Sequence, residues 1–193
     1  MLIRAVRAAL LNGWMYRALT DEPEEIFYAL GIVVLSGLAL GAGIYSLVTL
    51  GENVESITQA GSQAPLLPNW QGAPLWLFVM YAVWARLVTW FLWAGIAYAI
   101  GTKAFGGQAG YRRLLRSIGL AFGPGVLALF AGIPFIGPVL MGLSFLWVFP
   151  ASMVAIRETQ QINWVQATIC AILGWMAGIG LLIVIFQFTR VNV

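Results

Sequence analysis

An uncharged stretch at residues 118–156, within the longest uncharged run of the chain, constrains the fold more than any other feature. As one helix, its 39 residues would extend about 58 Å, roughly twice the hydrocarbon thickness of a bilayer. Pro134 and Pro138 lie near its middle. Each lacks a backbone donor and disfavours helix at the residue before it. The run therefore predicts a hairpin of two membrane spans, at about 117–132 and 138–156.

The composition extends this reading to the rest of the chain. Of the 193 residues, 61% are hydrophobic and 9% are charged, whereas soluble domains carry about 25% charged residues. Three further apolar stretches predict spans at about 26–50, 78–101 and 164–189. We therefore expect an all-α, polytopic helical membrane protein with five transmembrane helices, which form a single domain over residues 26–189.

Proline and glycine positions predict how these helices bend and pack. Pro124 and Pro150 are expected to bend the third and fourth spans. Two pairs of glycines at a spacing of four residues would let a neighbouring helix approach closely. These are Gly37 and Gly41 in the first span and Gly174 and Gly178 in the last. Because glycine is common in membrane helices, we assign both pairs to helix packing rather than to a dimer motif.

Residues 1–25 precede the first span and form a leader. Leu2, Ile3, Val6 and Leu10 fall on one helical face, and Arg4 lies roughly opposite. This pattern predicts an N-terminal amphipathic helix in the membrane surface, with a partly ordered tail as the alternative.

Basic residues collect on one side of the predicted topology. The densest group follows the second span and consists of Lys103, Arg112, Arg113 and Arg116, in a predicted loop over residues 102–117. With five spans, eight of the ten Lys and Arg residues share the side of the N-terminus. The positive-inside rule then puts the N-terminus in the cytoplasm and the C-terminus outside. Because juxtamembrane cations attract anionic lipids, we expect these four residues to bind lipid headgroups.

Arg86 is the one charge in the middle of the second apolar stretch. If the span begins near Pro74, Arg86 lies deep in the membrane and needs a partner. If the span begins at Leu87, Arg86 snorkels at the interface among tryptophans. No acidic residue lies within another predicted span, which favours the interfacial position, but both positions remain open.

The available side chains argue against an enzyme. The chain has no histidine, one cysteine and seven acidic residues, so His-based metal binding and internal disulfides are excluded. Phosphate-binding glycine loops and nucleophile-elbow motifs are absent from the sequence. We expect no catalytic residue, no metal and no cofactor. We also expect no nucleic-acid partner, since the basic segment is short and next to the membrane.

Several features resemble one family of membrane proteins. Gly106-Gly107 precede an aromatic and basic run, a proline-bearing helix lies at Phe122–Gly125, and a Gly-Ile-Pro-Phe-Ile-Gly turn begins at Gly132. Trp147 and the Ala-Ile-Arg-Glu end of the fourth span follow. Together with the leader and first span, these features resemble the Yip domain family of multi-span membrane proteins.

The resemblance implies five helical spans and no catalytic residues. Eukaryotic members act in vesicle traffic and bind prenylated Rab GTPases through a cytosolic N-terminal region, and some shape membranes. The leader here has about 25 residues, so the chain looks more like the short prokaryotic members.

These observations predict a non-catalytic integral membrane protein of a prokaryotic plasma membrane. It would organise membrane or bind other membrane proteins, as a scaffold or as an accessory subunit of a membrane complex. Its expected partners are membrane lipids, including anionic headgroups, and other integral membrane proteins or itself. The alternative is a small transporter or channel with Arg86 in the pathway, which would require that Arg86 point inward along a polar path.

Overall fold

A computed structural model describes residues 25–58 and 73–191. Those residues are helical apart from short turns, and they contain no β-strand. Five of the described helical segments are long and apolar enough to cross a membrane. The prediction of an all-α polytopic membrane protein is therefore confirmed. The predicted amphipathic leader lies outside the described residues, apart from Glu25.

The first two helices pack against each other. Helix α1 spans Glu25–Thr58, and helix α2 spans Leu75–Lys103. The predicted first span ends at about residue 50, but α1 continues beyond that point to Thr58. Residues 51–58 are more polar than the span before them, but Glu, Val and Ser are all compatible with helix.

The third span combines two kinds of helix. Helix α3 covers Tyr111–Ala121, and a 3₁₀ helix covers Gly123–Gly132. Pro124 lies in the first turn of the 3₁₀ helix, where its missing N–H removes no intrahelical bond. At about 1.5 and 2.0 Å per residue, the two helices together cover about 36 Å, enough to cross the hydrocarbon core.

The start of α3 corrects one sequence prediction. Arg112, Arg113 and Arg116 were expected in a loop, but they lie on α3. Hydropathy misses this segment because α3 is amphipathic: its arginines alternate with Leu114 and Leu115, which are buried against the core.

A tight turn connects the 3₁₀ helix to helix α4, which spans Gly137–Gln160. The Gly137 amide donates to the Ile133 carbonyl at 2.7 Å, and Phe135 has a φ of 64°. Pro138 lies in the first turn of α4, and Pro134 lies in the turn itself. The turn occupies the segment in which the two prolines predict it.

Helix α5 spans Trp164–Val191 and begins with a reciprocal cap. The Gln166 amide donates to Asn163 Oδ1 at 2.9 Å, and the Asn163 amide donates to Gln166 Oε1 at 3.1 Å. This is the capping-box arrangement, which satisfies two amides that the first turn leaves unpaired. Before this cap, Gln161 adopts a left-handed conformation that ends α4. Pro150 lies within α4.

Two tryptophans of α2 occupy the centre of the bundle. Trp90 and Trp93 are almost fully buried, and the Trp90 indole N–H donates to the Leu115 carbonyl of α3 at 2.7 Å. Trp93 meets Phe122 edge to face, with 6.0 Å between ring centroids. Helix α2 thus contacts α1, α3 and α5, and its large side chains fill the space between them.

The paired glycines lie where helices of this chain approach closely. A Cβ on Gly37 would lie 2.7 Å from Val83 Cα, and a Cβ on Gly41 would lie 2.6 Å from Val79 Cα. On α5, a Cβ on Gly178 would lie 2.7 Å from the Thr89 methyl group, and Gly174 faces the Trp93 ring. Only hydrogen fits at these points, so the glycines determine how closely α1 and α5 approach α2.

Candidate functional site

One end of the bundle gathers most of the described cations. We call it the basic end: α2 and α4 finish there, and α3 and α5 begin there. Two backbone hydrogen bonds join the segment between α2 and α3 to this end. The Gly107 amide donates to the Gly101 carbonyl, and the Gln108 amide donates to the Gln160 carbonyl. The cations whose side chains the structure describes at the basic end are Lys103, Arg112, Arg113, Arg116 and Arg157.

These cations differ in exposure. Lys103 and Arg112 are exposed, whereas Arg113 and Arg116 are half-buried, and Arg116 Nε donates to the Arg112 carbonyl at 3.3 Å. Arg112 and Arg113 occupy the first turn of α3, where the helix dipole is positive and its amides point outward. Cations are disfavoured at this position, and a bound anion would interact favourably with both the arginines and the amides.

Arg157 belongs to the basic end, although its role there was not predicted. Its guanidinium carbon lies 4.5 Å from the Trp164 ring centroid, and it forms an ion pair with Glu158. With Gln161 and Ile162, this pair lines an open cleft of about 380 Å³. The only available signal in the sequence was an Arg-Glu pair shortly before a tryptophan.

Buried hydrogen bonds connect three helices next to the basic end. Thr159 Oγ1 donates to Ser117 Oγ at 2.8 Å, and Ser117 Oγ donates to the Ala155 carbonyl at 3.1 Å. The Gln160 side chain donates to the Ala97 carbonyl of α2 at 3.2 Å. These bonds connect α2, α3 and α4, and they fix the positions of the helix ends that carry the basic residues. Single-sequence reasoning missed this network because its partners lie far apart in the chain.

Arg86 lies inside the bundle and far from the basic end. Its side chain is only 7% exposed, and its guanidinium carbon lies 5.4 Å from the Phe122 ring and 5.0 Å from the Phe145 ring. Among residues 25–58 and 73–191, neither Nε nor Nη2 of Arg86 has a hydrogen-bond partner. Aromatic residues from two other elements cover the Arg86 side chain, which therefore points into the bundle.

A family model agrees with this architecture. The model of the Yip1 domain matches residues 11–185, which include all five candidate spans. No curated protein and no solved structure matches the chain significantly. Because the family match covers most of the sequence, this multi-pass membrane protein belongs to the Yip1 domain family.

Proposed function

We propose that this chain is a non-catalytic membrane protein that organises membrane or binds other membrane proteins, as a scaffold or accessory subunit of a membrane complex. The observation that carries the proposal is the contrast between the basic end and the sides of the bundle. The basic end presents cations on helix ends that are joined by hydrogen bonds, whereas large apolar side chains cover the sides of the helices. The most exposed of these are Phe27, Met80, Val139, Leu146 and Val165.

The basic end supports an interaction with anionic lipid headgroups. Lys103 and Arg112 extend into solvent next to the ends of membrane-spanning helices, where headgroup phosphates lie. Each such cation contributes about 1 kcal/mol of attraction to an anionic surface, equivalent to about a fivefold preference. Trp164 lies beside Arg157 at the same end, and tryptophan favours the boundary between hydrocarbon and headgroups.

The same distribution supports an orientation in a prokaryotic plasma membrane. We place the basic end and the N-terminus on the cytoplasmic side, and the C-terminus outside, because cytoplasmic segments carry an excess of Lys and Arg. The apolar sides of the helices then contact lipid, other integral membrane proteins or a second copy.

Two measurements test the proposal. First, we would purify the chain from native membranes in a gentle detergent and identify retained proteins by mass spectrometry. A partner at near-equal stoichiometry supports an accessory subunit. A chain that carries no membrane protein and leaves the shape of reconstituted vesicles unchanged contradicts the proposal.

Second, native mass spectrometry would compare phosphatidylglycerol with phosphatidylcholine bound to the purified chain. We expect the double change Lys103→Gln and Arg112→Gln to reduce the preference for phosphatidylglycerol at least fivefold, given about 1 kcal/mol per cation. The matched control is Arg190→Gln, because α5 begins at the basic end and Arg190 lies near its opposite end. An equal loss of preference in Arg190→Gln would contradict the proposal that headgroups bind at the basic end.

One observation favours a second candidate function, a small transporter or channel. Arg86 points into the bundle, as a residue in a substrate pathway would. Flux of small anions into proteoliposomes that depends on Arg86 would support it. Vesicles as tight as protein-free controls would refute it.

A further inference from the structure

We propose that Arg86 and Ser36 form a buried site for an oxyanion, a phosphate or carboxylate group, in the interior of the helix bundle. The site lies between α1, α2, the 3₁₀ helix and α4. It is separate from the basic end, and it does not depend on the proposed function or on passage of the anion across the membrane.

The two unpartnered nitrogens of Arg86 lie on the same edge of its guanidinium. Nε and Nη2 point their N–H bonds in parallel, and this edge matches the two oxygens of a carboxylate or phosphate. Both nitrogens are buried, and neither has a hydrogen-bond partner in the described part of the chain. A fork of donors directed into the protein interior is the arrangement expected of a bidentate oxyanion site.

Two aromatic rings contact the same guanidinium group. The Phe122 and Phe145 ring centroids lie 5.4 Å and 5.0 Å from Cζ of Arg86. Such cation–π contacts stabilise the positive charge and hold the guanidinium plane in place. Neither contact is a hydrogen bond, so the aromatic rings do not satisfy the two donors of the fork.

Ser36 supplies a third polar group from α1. Its hydroxyl is fully buried and has no hydrogen-bond partner among the residues that the structure describes. Gly125 brings it near Arg86: a Cβ on Gly125 would overlap Ser36 Oγ and lie 3.8 Å from Arg86 Nη2. The missing side chain at Gly125 therefore lets the Ser36 hydroxyl occupy the space beside it, near Arg86 Nη2.

Acidic residues of the described helices lie too far away to neutralise Arg86. Glu25 is 11 residues before Ser36 and Glu52 is 16 residues after it, or about 16 and 24 Å along α1. Glu158 is 13 residues from Phe145, about 20 Å along α4. A bound anion would supply the charge that these positions do not.

The surroundings explain why such a charge is needed. On α2, the exposed apolar residues Met80, Trp84 and Phe91 lie on either side of Arg86 along the helix. Arg86 therefore lies at a depth where the outer surface suits hydrocarbon. An uncompensated guanidinium is costly there, and pairing with an oxyanion lowers that cost.

The test uses the full chain in a neutral detergent and two probes that separate the possible sources. Equilibrium dialysis with radioactive inorganic phosphate measures binding of a free anion. Native mass spectrometry with phosphatidic acid, compared with diacylglycerol of the same acyl chains, measures binding of a lipid phosphate. The variants are Arg86→Lys, which keeps the charge but loses the fork, and Ser36→Ala. The control is Ser46→Ala on α1, the helix of Ser36, because the Ser46 hydroxyl already donates to the Ala42 carbonyl at 2.8 Å.

We expect one of the two probes to bind at about one per chain. Loss of charge-assisted bonds predicts that Arg86→Lys weakens binding about tenfold to a hundredfold, and Ser36→Ala about threefold to tenfold. The control should bind as the parent chain does. If Arg86→Lys does not fold, Ser36→Ala still tests the site, because it removes only the hydroxyl group that α1 supplies to the site.

Three results would overturn the proposal: no stoichiometric binding of either probe, equal binding by the parent chain and both site variants, or the same loss in the Ser46→Ala control. The double change Lys103→Gln and Arg112→Gln separates this site from the basic end. If that change abolishes probe binding while both site variants bind as the parent chain does, the anion binds at the basic end.

Discussion

The contact between α1 and α2 at Gly41 gives the sharpest prediction of stability. A Cβ added there would lie 2.6 Å from Val79 Cα, 2.8 Å from the Phe78 carbonyl oxygen and 2.9 Å from the Val79 amide nitrogen. All three atoms belong to the backbone of α2, so no side-chain rotation relieves the overlap. In Gly41→Ala, α1 therefore has to move away from α2.

The expected loss is about 2 kcal/mol. Overpacking of a close contact typically costs about 1–3 kcal/mol, and rigid backbone neighbours favour the upper end. Replacing glycine by alanine in a helix returns up to about 1 kcal/mol of helix propensity. A net loss of about 2 kcal/mol lowers the ratio of folded to unfolded protein about thirtyfold.

The assay is unfolding in mixed micelles by increasing the fraction of sodium dodecyl sulfate, followed by circular dichroism. Gly142→Ala in α4 is the matched control, because a Cβ there meets nothing within 4 Å. We expect the control to be as stable as the parent chain or slightly more stable. If the two variants unfold alike, the close α1–α2 contact at Gly41 is wrong.

Three further predictions use the same unfolding assay. Trp90→Phe removes the indole bond to the α3 backbone and should cost about 1–3 kcal/mol, whereas Trp84→Phe, at a side chain 53% exposed, should cost less than about 0.5 kcal/mol. Arg86→Met removes a cation without a described hydrogen-bond partner. In detergent free of oxyanions, this variant should lose no more than about 1 kcal/mol of unfolding free energy relative to the parent chain. A loss above about 3 kcal/mol would mean that the guanidinium is paired. Asn163→Ala breaks the reciprocal cap with Gln166 and should cost about 1 kcal/mol, while no change would show that the cap contributes nothing to α5.

Features that depend on length and backbone restriction could be predicted from the sequence. The uncharged run over residues 118–156 is too long for one helix, and Pro134 and Pro138 each restrict their own backbone and that of the preceding residue. These are local effects, so they appear in the sequence without knowledge of any neighbour. The five candidate spans follow from the same kind of argument.

The features that the sequence did not reveal depend on contacts between distant segments. Arg86 is buried because Phe122 and Phe145, from other elements, cover it. The basic residues of α3 lie on a helix because Leu114 and Leu115 pack into a core that hydropathy averaging cannot identify. In each case the deciding energy comes from tertiary packing, which periodicity alone does not specify.

The 3₁₀ helix of the third span limits how this segment can change in length. Its buried face includes Gly125, Ala128 and Ala131, which recur every three residues and so form a straight row along the helix axis. Deleting or inserting a single residue would turn the remainder of that row by about 120°, away from its neighbours. Insertions and deletions within this segment should therefore be tolerated only in multiples of three residues, because only such steps keep the row on the same face of the helix.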